Sequence, residues 1–179
     1  PEPRIGFLQE ALRWWDRWLK GKETGVENDP AYSVYLMDGV RPKTWYESRA
    51  GRWINEHDWP QGPTQNSMHL GQGNTLTTEP ARINDILSSP QTCGMSSGEY
   101  CAIWLGPEMP GDQRGDDALS LCYDSEPVAA DCDIVGAAKV KLRLTSDTAD
   151  GQIAVRLNHI HPDGASTRIT YGVLNLAQR

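Results

Sequence analysis

The sequence contains no uninterrupted apolar stretch near the roughly 18 residues needed to cross a bilayer, so nothing in it reads as a membrane-spanning helix. Positive charge is also short: 17 Lys and Arg stand against 24 Asp and Glu, giving a net charge of −7 and a pI near 5.0. That balance supplies no electrostatic footprint for nucleic-acid phosphates or an anionic membrane surface, and both partners are set aside. Cysteine is too scarce for a disulfide-built scaffold: Cys93, Cys101, Cys122 and Cys132 include no C-x-x-C pair of the kind that binds zinc. Cys122 sits in an apolar run and reads as a buried thiol, whereas Cys93 and Cys101 flank a loop that they could bridge. Cysteine usage leaves the compartment open, leaning to the cytoplasm. No period of 20–50 residues repeats, which excludes solenoids and propellers. The first residues show neither a Met nor a signal-peptide pattern, so the chain is expected to begin inside a longer one.

What is present suits one folded domain with a short appendage. A chain of 179 residues with 38% hydrophobic residues and 17 glycines can bury a core. Ile5, Leu8, Leu12, Trp15 and Leu19 recur at helical spacing, and Ala11, Trp14 and Trp18 widen the same face. The spacing predicts an amphipathic helix with an Asp16–Lys20 pair on its polar side and a stop at Gly21. The Trp14, Trp15 and Trp18 face needs a partner surface, since an isolated helix of this length is marginal in water. Packing under the following sheet is one answer; a neighbouring domain is the preferred one, because residues 20–30 read as a linker.

Beyond residue 31 the pattern turns to short strand-like runs separated by Gly, Pro, Asn and Asp, at 32–37, 68–70, 103–105 and 119–123. The clearest alternations are Val140, Leu142 and Leu144 against Lys139, Lys141 and Arg143, then Ile153, Val155 and Leu157 against Ala154, Arg156 and Asn158. Pro162-Asp163-Gly164 is a turn signature, and Ile169, Tyr171, Val173 and Leu174 suggest the returning strand of a hairpin. Each of these strands buries one face, so the expected class is all-β, an antiparallel sandwich preceded by one helix.

Candidate chemistry is thin. Gly94-Met95-Ser96-Ser97-Gly98 matches G-x-S-x-G, but a nucleophile elbow needs an apolar strand before the Ser and a helix after it, and neither is expected here. His159 and His161 stand two apart on one strand face, where two imidazoles could share a metal; ordinary hydrogen bonding is the preferred reading. From Glu99 to Asp133 there are nine acidic residues and one base, Arg114, with Asp116, Asp117, Asp131 and Asp133 as candidate calcium ligands. Solvated acidic loops are commoner, and no EF-hand pattern occurs. Asp112, Gln113 and Arg114 are expected to form a structural loop clasp, with Arg114 pairing carboxylates. Trp53 and Trp59 stand in loop-like sequence, as edges of the core or as a sugar-stacking platform. No motif requires a cofactor or a metal.

Glu10-Ala11-Leu12-Arg13-Trp14-Trp15-Asp16-Arg17-Trp18-Leu19-Lys20-Gly21, followed by Thr24-Gly25-Val26, resembles the stretch that leaves the catalytic domain in cocaine-esterase-type (CocE/NonD) acyl hydrolases. Trp59-Pro60, Gly111-Asp112-Gln113-Arg114, Ser120-Leu121-Cys122-Tyr123-Asp124, His161-Pro162-Asp163-Gly164 and Gly172-Val173-Leu174-Asn175 resemble landmarks of that family's C-terminal domain, shared with X-prolyl dipeptidyl peptidases. In order and spacing they cover nearly the whole chain. The resemblance implies a jelly-roll β-sandwich similar to galactose-binding domains, packed on an α/β-hydrolase domain that carries a Ser-Asp-His triad upstream of Pro1. It divides the chain into residues 1–21 as a helix from the end of the hydrolase domain, 22–31 as linker and 32–179 as a partial sandwich, with further strands expected past Arg179. On this reading the chain has no catalytic residue of its own and helps to shape the substrate entrance and stabilise the catalytic domain. Its partner is the hydrolase domain of the parent chain. The bare Trp face and open sheet edge also suggest a homo-oligomer. The rival reading is an independent carbohydrate-binding module.

Overall fold

The computed structural model describes residues 5–58, 66–98 and 109–178. They fall into two units, residues 1–38 with 46–63 and residues 39–45 with 64–179.

In the first unit the predicted helix, α1, spans Phe7–Lys20. It stops at Gly21, whose left-handed φ of 66° turns the chain and lets its N–H reach Arg17 O at 3.1 Å. Asp16 holds both Lys20, at 2.6 Å, and Lys22, at 2.8 Å, and these bonds keep its carboxyl below the ordinary range. Arg13 pairs with Asp29 and Arg17 with Glu27, at 3.1 Å, so the polar stripe of α1 is tied down onto the short 3-10 turn Val26–Asn28 and its flank. The apolar stripe has no such cover. Trp14 and Trp18 lean on each other with ring centroids 5.8 Å apart, yet every residue of α1 stays at least partly exposed.

Strand β1 (Tyr32–Met37) pairs antiparallel with β2 (Gly51–Glu56), Tyr32 opposite Glu56 and Met37 opposite Gly51. The sequence marks β1 but not β2, and Trp53, read as loop, lies in β2 opposite Tyr35 with their rings edge to face at 5.5 Å. Gly51 is obligatory at its position: a Cβ there would sit 2.2 Å from Leu36 O.

The second unit opens its ladders with β3 (His69–Leu70) against β4 (Leu76–Thr77), joined by a turn in which Gly73 and Asn74 both take positive φ. A single turn of helix, α2, follows at Arg114–Asp117. The largest ladder is the predicted hairpin, β5 (Gln152–Ile160) with β6 (Ser166–Asn175), closed through the Pro162-Asp163-Gly164 turn with Gly164 at φ 84°. The register slips between Leu157 and Asn158, leaving Ile169 as the extra residue of a bulge.

Among the described residues three small antiparallel sheets and one long helix give an all-β organisation beyond α1. Two expected strands are corrected. Residues 119–123 form no ladder, and only Asp124 makes an isolated bridge, to Thr75. Residues 139–144 are likewise without ladder, with Val140 and Leu142 exposed: alternation records a capacity for one-sided burial, but a strand also needs a neighbouring edge. The run at 103–105 lies outside the described residues. Among the described residues Ala165 is the one buried apolar side chain, whereas Gln113, Asp116 and Ser166 are buried and polar.

Candidate functional site

The buried polar residues converge where α2 meets the hairpin. Arg156 and Asn158 lie two apart on β5 and share a face, the one the sequence marks as polar and outward. That face is covered instead by the turn at 112–117. Arg156 donates to Gln113 Oε1 and Ser120 Oγ, each at 3.1 Å, and pairs with Asp117 at 3.0 Å and Asp116 at 3.5 Å. Asn158 donates to Asp117 Oδ1 at 3.0 Å, and Ser166 Oγ donates to Asp117 Oδ2 at 2.7 Å. A charge buried this way is tolerable because almost every polar atom around it has a partner.

Asp116 also reaches a second turn. Its two carboxylate oxygens accept the backbone N–H groups of Gly94 and Ser96, both at 2.9 Å, and so fix the Met95–Ser97 turn. The amide of Gln113 completes the join by donating to Ser96 O at 2.7 Å and Gly111 O at 2.9 Å, while its own N–H reaches Ser166 O at 2.9 Å. One residue thereby bridges the 94–98 turn, the 111–117 turn and β6. Asp112 accepts from Ser166 N at 3.2 Å and from Arg114. Burial pushes its carboxyl up, but the bonds from Arg114 and Ser166 outweigh that and leave it below the usual carboxylate range.

The three residues expected to form a clasp therefore part company. Asp112 and Gln113 enter the hub; Arg114, with 61% of its side chain exposed, reaches only Asp112, two residues away. The base that unites the acidic turn is Arg156, 16% exposed, which the sequence reading missed because it counted charges along the chain. The signal was the pair Arg156 and Asn158 on one face of a strand otherwise flanked by Ile and Val.

No catalytic constellation forms among the described residues. Ser96 serves through its backbone groups, and no hydrogen bond joins its hydroxyl to any of the four histidines. The turn around it runs from Gly94, at φ 107°, to Gly98, at φ 76°, with no strand in the residues before it, and the residues after Gly98 lie outside the described ones. Among the described residues no three His, Cys, Asp or Glu side chains are placed to hold a metal ion, and Asp131 and Asp133 are exposed. Cys93 is a free thiol 3.4 Å from Ser120 Oγ; Cys101, its suggested partner, lies outside the described residues. The Cys122 thiol is pushed up by burial and by Asp117 and Asp124, which keeps it in the unreactive form. Tyr123 bonds Asp85, and burial with that bond raises its hydroxyl to about 12. Trp53 is engaged edge to face with Tyr35, and Trp59 lies outside the described residues.

At the far end of the hairpin His159 and His161 stack with ring centroids 4.2 Å apart. Thr167 Oγ1 gives its proton to Val40 O at 2.9 Å, so His161 Nε2, 2.9 Å away, is the donor to Thr167. Beside them Arg41 pairs with Asp163.

The sequence profile of a family described as the X-Pro dipeptidyl-peptidase C-terminal non-catalytic domain matches residues 24–179. Among curated proteins, one described as a serine esterase from Mycobacterium bovis is 25% identical over 176 residues, covering 95% of this chain and 26% of the relative. A serine esterase of Mycobacterium tuberculosis matches to the same extent. The cocaine esterase of a Rhodococcus species is 24% identical over 193 residues, covering 96% of this chain and 31% of the relative. The chain thus spans about a quarter to a third of the length of these relatives. No solved structure matches it significantly.

Proposed function

The chain belongs to the X-Pro dipeptidyl-peptidase C-terminal non-catalytic domain family, and on that premise we propose that it is the accessory domain of a serine ester or amide hydrolase, docked through α1 onto the catalytic domain of its parent protein. The observation that carries this reading is the inverted use of α1. Its polar stripe is satisfied within the unit, by Asp29, Glu27 and Lys22, while Phe7, Leu8, Leu12, Trp14, Trp15, Trp18 and Leu19 stay exposed. A helix of a self-sufficient domain buries the opposite face. An apolar strip of this size on a soluble protein marks an interaction surface. The family match begins at residue 24, after α1, which supports assigning residues 1–21 to the end of a preceding hydrolase domain.

In this reading residues 32–179 contribute to a jelly-roll sandwich whose remaining cover comes from elsewhere in the parent protein, and the exposed Val140 and Leu142 are part of what it covers. The hub at Arg156 holds the 94–98 and 111–117 turns in fixed positions, as walls for a substrate entrance must be held. Acyl transfer itself is done by a Ser-Asp-His triad in the hydrolase domain. The family points away from a freestanding carbohydrate-binding module. Replacing Trp15 and Trp18 with Gln in the intact protein tests the proposal: ester hydrolysis and thermal stability should fall together while the β5–β6 hairpin keeps its amide protection. Unchanged stability would reject docking through α1.

A further inference from the structure

Three consecutive residues that follow β1 in sequence, Gly39, Val40 and Arg41, each engage the end of the β5–β6 hairpin. The ring of His159 lies so close to Gly39 that a Cβ there would stand 3.3 Å from His159 Nδ1. Val40 O accepts from Thr167 Oγ1, which is itself held by His161 Nε2. Arg41 pairs with Asp163 in the closing turn. Further along, Thr44 O accepts from Met109 N at 2.7 Å. Residues 39–45 therefore lie as a strap across the hairpin end, and its first three anchors all run through one small cluster of cationic and imidazole groups.

We propose that this cluster is a proton-operated latch, in which charging of His161, stacked on His159 and beside Arg41, loosens residues 39–41 from the hairpin below neutral pH. Among the described residues the groups facing His161, besides His159, are few: Arg41 from the strap, Asp163 from the turn, Thr167 from β6 and the carbonyl of Val40. Asp163 is the one carboxylate among them, and it is already engaged by Arg41. A proton on His161, whose ring centroid is 4.2 Å from that of His159, would be repelled by the Arg41 guanidinium, with no free counter-charge among the described residues to offset it. Burial, then His159 and Arg41, hold His161 below its ordinary value of 6.5, which means that the latched state prefers it neutral. The sign follows from linkage. A histidine with a depressed value in the latched state binds more protons when released, so latching is complete above about pH 6.5 and weakens as the pH falls from there toward the latched-state value. Asp163, held below the usual carboxylate range by Arg41, stays ionised throughout this window, so its pair with Arg41 is not what lets go.

The test is amide hydrogen exchange, read by mass spectrometry on peptides covering residues 38–46 and 161–168 of the intact protein, between pH 7.5 and 5.5. Intrinsic pH effects are removed with an unstructured reference peptide. The expected result is a several-fold gain in exchange at 38–46 on acidification, while β5–β6 pairing persists. His161→Gln keeps a donor for Thr167 but cannot take a charge, and should hold the strap closed at both pH values. If that variant fails to fold, His159→Gln serves instead, because it leaves every His161 bond in place and removes the neighbouring imidazole; release should then move to lower pH. Equal protection of residues 38–46 at pH 7.5 and 5.5 would overturn the proposal, as would an undiminished acid response in the histidine variants.

Discussion

Replacing Arg156 with Met would remove the guanidinium while keeping most of the side-chain stem. Gln113 Oε1 and Ser120 Oγ would each lose a donor at 3.1 Å, and Asp117 and Asp116 would lose their cation at 3.0 and 3.5 Å. Asp116 would keep the N–H groups of Gly94 and Ser96, and Asp117 would keep Ser166 and Asn158, so neither carboxylate is stranded. Breaking one side of a buried ion pair costs about 3–5 kcal/mol, and water can reach this site because 16% of the Arg156 side chain is exposed, which places the cost near the lower end, about 3 kcal/mol. For a domain of this size that corresponds to a fall in Tm of roughly 6–12 °C. Differential scanning calorimetry of the wild-type protein, Arg156→Met and Arg114→Met gives the comparison. Arg114, exposed and bonded only to a residue two positions away, should leave Tm unchanged within error. Equal shifts for the two variants, or a shift under about 2 °C for Arg156→Met, would refute the account of the hub.

Other outcomes follow from the same structure. Ser96→Ala should leave ester hydrolysis by the intact protein unaltered, because only the backbone of Ser96 is engaged; a large loss of kcat would reopen the G-x-S-x-G reading. Gly51→Ala places a Cβ 2.2 Å from Leu36 O and should cost roughly 1–3 kcal/mol, seen as lost amide protection along β1 and β2 while β5–β6 is untouched. Asp112, Asp163 and Asp16 titrate below their usual value of 3.8, so their contribution is complete above that value and is lost as pH falls through the lowered values; a Tm-against-pH curve should show this carboxylate loss only below about pH 4. The 179-residue chain on its own should self-associate through the bare face of α1, and a strict monomer across a concentration series in the ultracentrifuge would contradict that.

The parts legible in the sequence are those set by local periodicity. The repeat of Leu8, Leu12, Trp15 and Leu19 specifies α1 whatever surrounds it, and Pro162-Asp163-Gly164 between two alternating runs specifies the β5–β6 hairpin. What escaped depends on contacts distant in sequence. Strand β2 carries just Trp53 and Ile54 as large apolar residues, so its pairing with β1 leaves little mark. Residues 139–144 have the alternation of a strand and no ladder, because a partner edge cannot be read from one run alone. The hub was half legible: Asp112 and Gln113 stand out in an acidic turn, but the base that neutralises it arrives from β5 and not from the neighbouring Arg114.

The central claim is that α1 docks this domain on a hydrolase body. Trp15 and Trp18 remain 52% and 55% exposed, so covering each would remove roughly 130 Å² from water and contribute about 3 kcal/mol. Isothermal titration of the 179-residue chain into the separately produced remainder of its parent protein measures this directly. The account predicts saturable one-to-one association that weakens by more than about a hundredfold when Trp15 and Trp18 are both replaced by Gln. Absence of association, or equal affinity with and without the two tryptophans, would contradict it.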